Sequence, residues 1–217
     1  MTASTAAPAA DCARCPRLAG FRAANRNAYP DFFNAPVPSF GALDARLLVL
    51  GLAPGLKGAN RTGRPFTGDF AGDLLYATLL KFGLAEGEYR ADPQDGLRLI
   101  DCRIANAVRC VPPENKPIGK EIAACRGFLE AEIAAMPRLR AIIALGRIAH
   151  DQAVKVLALG KGAPRFAHGA VAETGKGLLL AASYHCSRYN TNTGRLTAPM
   201  FEAVFAEVTR RLGGPAG

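Results

Sequence analysis

Among the 217 residues no run approaches the roughly 18 consecutive apolar residues of a membrane-crossing helix. The opening segment, Met1 to Ala10, has neither the basic start nor the apolar centre of a secretory leader. It reads as a disordered tail, residues 1–10, of a cytoplasmic protein with no membrane attachment. Internal repeats, low-complexity linkers and like-charge blocks are also missing, so residues 11–217 are expected to form one domain. Disulfides are not expected, because six cysteines in a cytoplasmic chain seldom form a disulfide framework. Their positions therefore carry more information than their number. The glycine-rich loop Gly51–Asp73, GLAPGLKGANRTGRPFTGDFAGD, has no Gly-Lys-Ser/Thr and no dinucleotide-type glycine spacing. The loop is therefore neither a P-loop nor a dinucleotide fingerprint.

What is present is an ordinary globular composition, 49% hydrophobic and 21% charged, which rules out wholesale disorder. The formal charge is +9, and Arg outnumbers Lys 20 to 7. The excess suggests a polyanionic partner, nucleic acid before an acidic membrane surface; a coding bias toward Arg, Ala and Gly would also produce it. Arg's planar fork suits phosphate oxygens, which favours nucleic acid slightly.

Four short apolar runs read as strands: Arg46–Gly51, Leu99–Val108, Ala141–Leu145 and Leu178–Ser183. Their near-continuous apolarity suits strands covered on both faces. Helical patterns lie over Asp73–Phe82, Ile118–Met136 and Arg147–Leu157, and a last one ends at Gly213-Gly214. This alternation predicts an α/β fold, three layers α/β/α around a four-stranded, mostly parallel sheet. Sites in such folds lie beyond the carboxyl ends of the strands. The loops Leu52–Gly72, Arg109–Pro117 and Tyr184–Thr197 all follow strands and should meet at that edge.

Each loop carries candidate chemistry. Phe66, between Pro65 and Thr67, is either a core residue or a platform for a flat ring. Asp69 is either the N-cap of the following helix or, if Asp73 caps it, free for chemistry. Cys12 and Cys15 form C-x2-C, and Cys110 and Cys125 form C-x14-C; two such pairs suit zinc or an iron–sulfur cluster. Cys102, inside an apolar run, reads as a small buried hydrophobe. His185 follows a strand beside hydroxyls, an Arg and a Tyr, and is either a site residue or a structural histidine. His150 and His168 lack such surroundings. Cys186 as a thiol nucleophile finds no other local support.

Taken together, Gly51–Asp69, the four-cysteine spacing and His185–Thr191 resemble the uracil-DNA glycosylase superfamily, most closely its iron–sulfur type B (family 5) branch. The resemblance runs from Cys12 to about Leu212. The related family 4 pattern has Glu where Leu52 stands and a shorter path after the Phe, which favours type B. The resemblance implies a 4Fe–4S cluster of structural role on Cys12, Cys15, Cys110 and Cys125. It implies excision of uracil, and of other deaminated bases such as hypoxanthine, from DNA by a nucleoid-associated enzyme that acts as a monomer. By the same resemblance His185, Asp69 and Asn115 are catalytic candidates. Gly51, Leu52, Ala53, Phe66 and Asn106 are base-binding candidates, Ala53 offering no polar side chain. Arg61, Arg64, Arg188, Tyr189 and Asn190, with Lys57, are expected to grip DNA. One departure is clear: the family usually has Pro after the motif His, and here it is Cys186. Losing Pro frees a backbone donor and removes a restraint on the loop. A catalytically weak iron–sulfur DNA-binding module is the alternative reading.

Overall fold

The segments LLVLG, AIIAL and LLAAS are buried at every position, which only a strand covered on both faces achieves. They form the centre of the sheet in the computed structural model, which describes residues 7–175 and 177–214. The helices are α1 (Pro16–Ala28), α2 (Ala59–Thr62), α3 (Phe70–Lys81), α4 (Gly119–Ala134), α5 (Arg147–Val156), α6 (Arg188–Asn192) and α7 (Ala198–Leu212). The strands are β1 (Leu47–Gly51), β2 (Ala85–Glu86), β3 (Arg98–Leu99), β4 (Cys102–Asn106), β5 (Ala141–Leu145), β6 (Val171–Glu173) and β7 (Leu179–Ser183).

The main sheet runs β4-β1-β5-β7-β6, parallel except for β6. Alternate residues of each strand serve opposite faces. Leu47, Val49, Ile104 and Ile143 pack with Leu75, Tyr76 and Leu79 of α3 and Phe201, Val204 and Phe205 of α7. Leu48, Leu50, Ala105 and Ile142 pack with Leu129 of α4 and Ala149 and Ala153 of α5. Three layers result, as expected. A third, smaller cluster of Leu18, Val108, Ile122 and Cys125 seats α1.

Three expectations need correction. The sheet has five strands, not four. The extra one, β6, is an antiparallel edge of three half-exposed or exposed residues, so it leaves no apolar run in the sequence. The expected strand Leu99–Val108 is two elements. Arg98–Leu99 pairs with Ala85–Glu86 in a separate hairpin, and the chain turns at Asp101, where φ is +50°, before β4. Asp101 accepts the backbone N–H of Arg46 at 2.9 Å, which fixes that turn against the start of β1. Helix α1 was not expected, because its buried positions include Arg22 and Asn25 as well as Leu18. Of the expected tail 1–10, residues 1–6 lie outside the described residues. Ala9 and Ala10 accept hydrogen bonds from Cys12 and Arg26, so the chain joins the body before residue 11.

Candidate active site and cysteine cavity

The parallel strands end in register, Gly51 beside Asn106 and Leu145 beside Ser183. Beyond the ends of β1, β4 and β7 lies a cavity of about 570 Å³, within the range of small-molecule sites. Leu52, Ala53, Lys57, Phe66, Asp69, Asn106, Asn115, His185 and Arg188 line it, so three segments distant in sequence meet there. Pro54, Gly55, Ala59, Gly68, Phe70, Ala71 and Ser187 also line it and were missed; their only signal was a place in the same loops as the motif residues.

Phe66 sits between the core and the cavity. It belongs to the core cluster, yet its ring faces the cavity and stacks on His185 at 5.9 Å between centroids, tilted by 28°. Its φ is +53°, a region a side-chain-bearing residue enters only under constraint. Gly51 makes room for the ring: a Cβ there would lie 2.6 Å from it and would strike the Asn106 amide oxygen. That amide oxygen is buried and has no hydrogen-bond partner in the protein. A buried orphan acceptor in a cavity wall is costly unless a ligand donates to it.

Asp69 is the N-cap of α3: one carboxylate oxygen accepts the N–H of Gly72 at 3.2 Å. Asp73 lies inside the first turn and does not cap. The other Asp69 oxygen faces the loop glycines, 3.2 Å from where a Cβ on Gly55 would sit. The Asn115 amide oxygen is 4.0 Å from that same point, so the two side chains converge above Gly55. Asn115 follows Glu114, both with positive φ (+58° and +54°), in a tight turn after Pro113. Burial raises the Asp69 pKa against the lowering effect of its cap bonds.

Burial depresses the His185 pKa to about 4, so the ring is neutral near pH 7. Its backbone is held from two sides. The Asn190 amide nitrogen donates to the His185 carbonyl at 2.8 Å, and Gly146 at the end of β5 packs beneath its Cβ. Cys186 is fully buried, its thiol donating to the Ala71 carbonyl at 3.4 Å. The thiol thus ties the His185 loop to the first turn of α3. Desolvation raises its pKa, which is the opposite of what a thiolate nucleophile needs.

The expected DNA contacts divide. Arg61, Lys57 and Arg188 are exposed, with the Arg188 guanidinium 5.5 Å over the Phe70 ring. Tyr189 is 73% exposed, far more than the other large apolar side chains. Asn190, by contrast, has its amide turned inward onto His185. Arg64 is a correction: it is 5% exposed and forms a two-pronged ion pair with Asp95, at 2.8 and 2.7 Å. A guanidinium so enclosed presents nothing to a phosphate.

The four cysteines of the two spaced pairs line one separate small cavity, of about 20 Å³, with Leu18, Arg22, Val108 and Phe128. Helix α1 brings Cys15, and α4 brings Cys125. Arg17 of α1 holds Glu121 of α4 at 2.7 Å, joining the two helices beside the cavity. Arg22 donates to the Cys110 sulfur at 3.3 Å, and the Arg109 N–H to the Cys125 sulfur at 3.4 Å. All four thiols are free of disulfides. Burial raises the pKa of Cys15, Cys110 and Cys125, the last to about 11. Among the described residues no group of three or more His, Cys, Asp or Glu is gathered as a ready ligand set for a metal ion. Cys102 is buried in the main core, as expected.

A mostly parallel sheet between helical layers, with a cavity at its carboxyl edge where the glycine loop, the histidine loop and the capping aspartate converge, defines an α/β protein with its candidate site beyond the strand ends. The uracil DNA glycosylase superfamily model matches residues 38–209, and the chain belongs to that superfamily. It is 44% identical to a type-5 uracil-DNA glycosylase of Thermus thermophilus over 207 residues, covering 93% of this chain and 94% of the relative. It is 40% identical to one of Pyrobaculum aerophilum over 211 residues, covering 95% and 90%. A type-4 enzyme of the same organism is 35% identical over 113 residues, covering 52% of this chain and 50% of the relative.

Proposed function

We propose that this protein is a DNA repair glycosylase. It hydrolyses the N-glycosidic bond of uracil, and of other deaminated bases such as hypoxanthine, leaving an abasic site. The observation that carries the reading is the cavity itself: a flat aromatic wall, an orphan amide, a neutral histidine and a carboxylate share it. A base inside a duplex is out of reach of such groups, so the nucleotide must flip out. The flipped ring stacks on Phe66, and Asn106 takes a ring N–H on its free oxygen. Backbone groups of Gly51, Leu52 and Ala53 meet the same edge. The bond from the sugar to the base breaks with its electron pair leaving on the base. Neutral His185 donates a hydrogen bond to the base oxygen where charge collects. Asp69 and Asn115 orient a water whose oxygen bonds to the sugar carbon; one of its protons ends on the released base. The Asp69 charge also stabilises the cationic sugar.

Arg61, Lys57, Arg188 and Tyr189 supply the contact to DNA, Tyr189 entering the space the flipped base leaves. Cys12, Cys15, Cys110 and Cys125 would hold a 4Fe–4S cluster: four thiols share one cavity, and two of the sulfurs receive N–H bonds that favour the thiolate form. When bound, the cluster supplies a cross-link between the N-terminal segment and the loop after β4. Purified protein should be brown and carry iron and sulfide, whereas a zinc protein would be colourless. No described helix is long and apolar enough to cross a membrane. We place the enzyme as a nucleoid-associated cytoplasmic monomer.

The test is base release from a labelled duplex with one G·U pair, followed by alkaline cleavage at abasic sites. Cleavage at the uracil is expected, lowered by about two orders of magnitude or more in His185→Ala. A folded, brown, DNA-binding preparation that releases neither uracil nor hypoxanthine would overturn the reading.

A further inference from the structure

The buried Arg64–Asp95 pair is anchored in the same loop as Phe66 and has no part in the mechanism above. Arg64 is two residues from Phe66, and its Nε donates to the Thr67 hydroxyl at 2.8 Å. Thr67 is fully buried. The guanidinium is enclosed by the rings of Phe40, Tyr76 and Tyr89, at 5.3, 5.2 and 5.8 Å. Those tyrosines grip the backbone on either side: Tyr76 donates to the Pro65 carbonyl at 2.8 Å and Tyr89 to the Phe66 carbonyl at 3.3 Å. The N–H of Gly68 donates to the Tyr89 hydroxyl at 3.4 Å. Asp95 is itself fixed by the N–H groups of Arg90 and Leu97, at 3.1 and 3.0 Å. Both Asp95 and Tyr89 come from the segment between β2 and β3. Apart from the two bonds that fix Asp95, the bonds of this network close on residues 64–68, whose one departure from ordinary backbone geometry at a side-chain-bearing residue is Phe66 at φ +53°. Such a conformation persists only where its surroundings over-determine it.

We propose that Arg64, with Asp95 and Tyr89, is a positioning residue for base removal: the network locks the Phe66 ring parallel to the flipped base. The small β2–β3 hairpin is then part of the site's support. This inference rests on the glycosylase reading, so its test has one arm that does not.

The experiment compares wild type, Arg64→Lys and Tyr89→Phe. Tyr89→Phe removes a single hydroxyl and keeps the ring, so it reads the proposal even if the lysine variant fails to fold. In folded protein below its melting temperature, single-turnover base release is expected to fall about 10- to 100-fold in Arg64→Lys and less in Tyr89→Phe. Affinity for uracil-containing duplex should stay within about threefold, with an unchanged salt slope. In a Phe66→Ala background the Arg64→Lys change should cost little further rate, because the residue acts through the ring. A merely structural role would leave the folded-state rate at the wild-type value, or its cost would add in full to that of Phe66→Ala. A phosphate contact would weaken binding and flatten its salt dependence. Any of these outcomes overturns the proposal. Hydrogen exchange at the amides of residues 66–68 in the free protein should be faster in both variants than in wild type. If wild type releases no base, the functional reading fails while this exchange measurement still decides the positioning role.

Discussion

At Asp69 one carboxylate oxygen caps α3 while the other faces the loop glycines, so structure and chemistry can be separated by substitution. Asn caps a helix about as well as Asp, whereas Ala costs about 1 kcal/mol of cap stability. Asp69→Asn should therefore melt near wild type and Asp69→Ala some degrees lower, while both lose at least about 100-fold in single-turnover base release. Wild-type rates in the Asn variant would show that the charge plays no part. His185 makes a different statement. Its folded pKa of about 4 is below the unfolded value of 6.5. Between those limits the unfolded chain binds the extra proton, so stability falls as pH drops below 6.5 and levels off near 4. The effect is on the order of 1–3 kcal/mol at its full extent, the ring being partly open to the cavity. The raised pKa of Asp69 acts in the opposite sense, gaining stability as pH falls, and cancels when two proteins differing only at position 185 are compared. Melting curves of wild type and His185→Gln from pH 7 to pH 4 should converge or cross as the wild type loses ground. Parallel curves would mean that the imidazole is not held neutral.

Among the elements, what the sequence disclosed follows from how each is buried. Strands β1, β5 and β7 sit between two helical layers, so their apolar runs are unbroken and legible. Helix α7 shows its apolar stripe, Phe201, Val204, Phe205 and Val208, because only one side meets the sheet. Helix α1 was illegible because it packs through Leu18 and two polar residues rather than an apolar stripe: Arg22 reaches the Cys110 sulfur far along the chain, and the Asn25 backbone carbonyl takes the Asn34 amide. Strand β6 and the β2–β3 hairpin are too short and too exposed to leave a pattern. The site divides in the same way. Phe66, Asp69 and His185 stand on connections that leave the carboxyl ends of β1 and β7, where topology puts side chains at the sheet edge. Arg64 stands in the same loop, and its position gave no hint that it turns inward, because Asp95 is 31 residues away. Asn190 likewise reads as a surface residue until the His185 carbonyl is placed beside it.

For the whole molecule, the net charge of +9 predicts how strongly DNA binding depends on salt. Of the candidate contacts, Arg61, Lys57 and Arg188 are exposed, while Arg64 is neutralised by Asp95 and contributes nothing to a phosphate. Each phosphate neutralised on a duplex releases counterions and steepens the fall of log affinity with log salt by about 0.9. Three such contacts alone would lower affinity roughly 40-fold between 50 and 200 mM salt. The remaining exposed arginines can only steepen that. Arg61→Ala and Arg188→Ala should each flatten the slope by about one and weaken binding to damaged and undamaged duplex alike, since phosphate contacts carry no sequence information. Titrating an undamaged labelled duplex at several salt concentrations measures this without interference from turnover. An affinity that hardly moves over that range would mean that the positive charge is a matter of composition rather than of DNA, and the grip would have to come from Tyr189 and the cavity mouth alone.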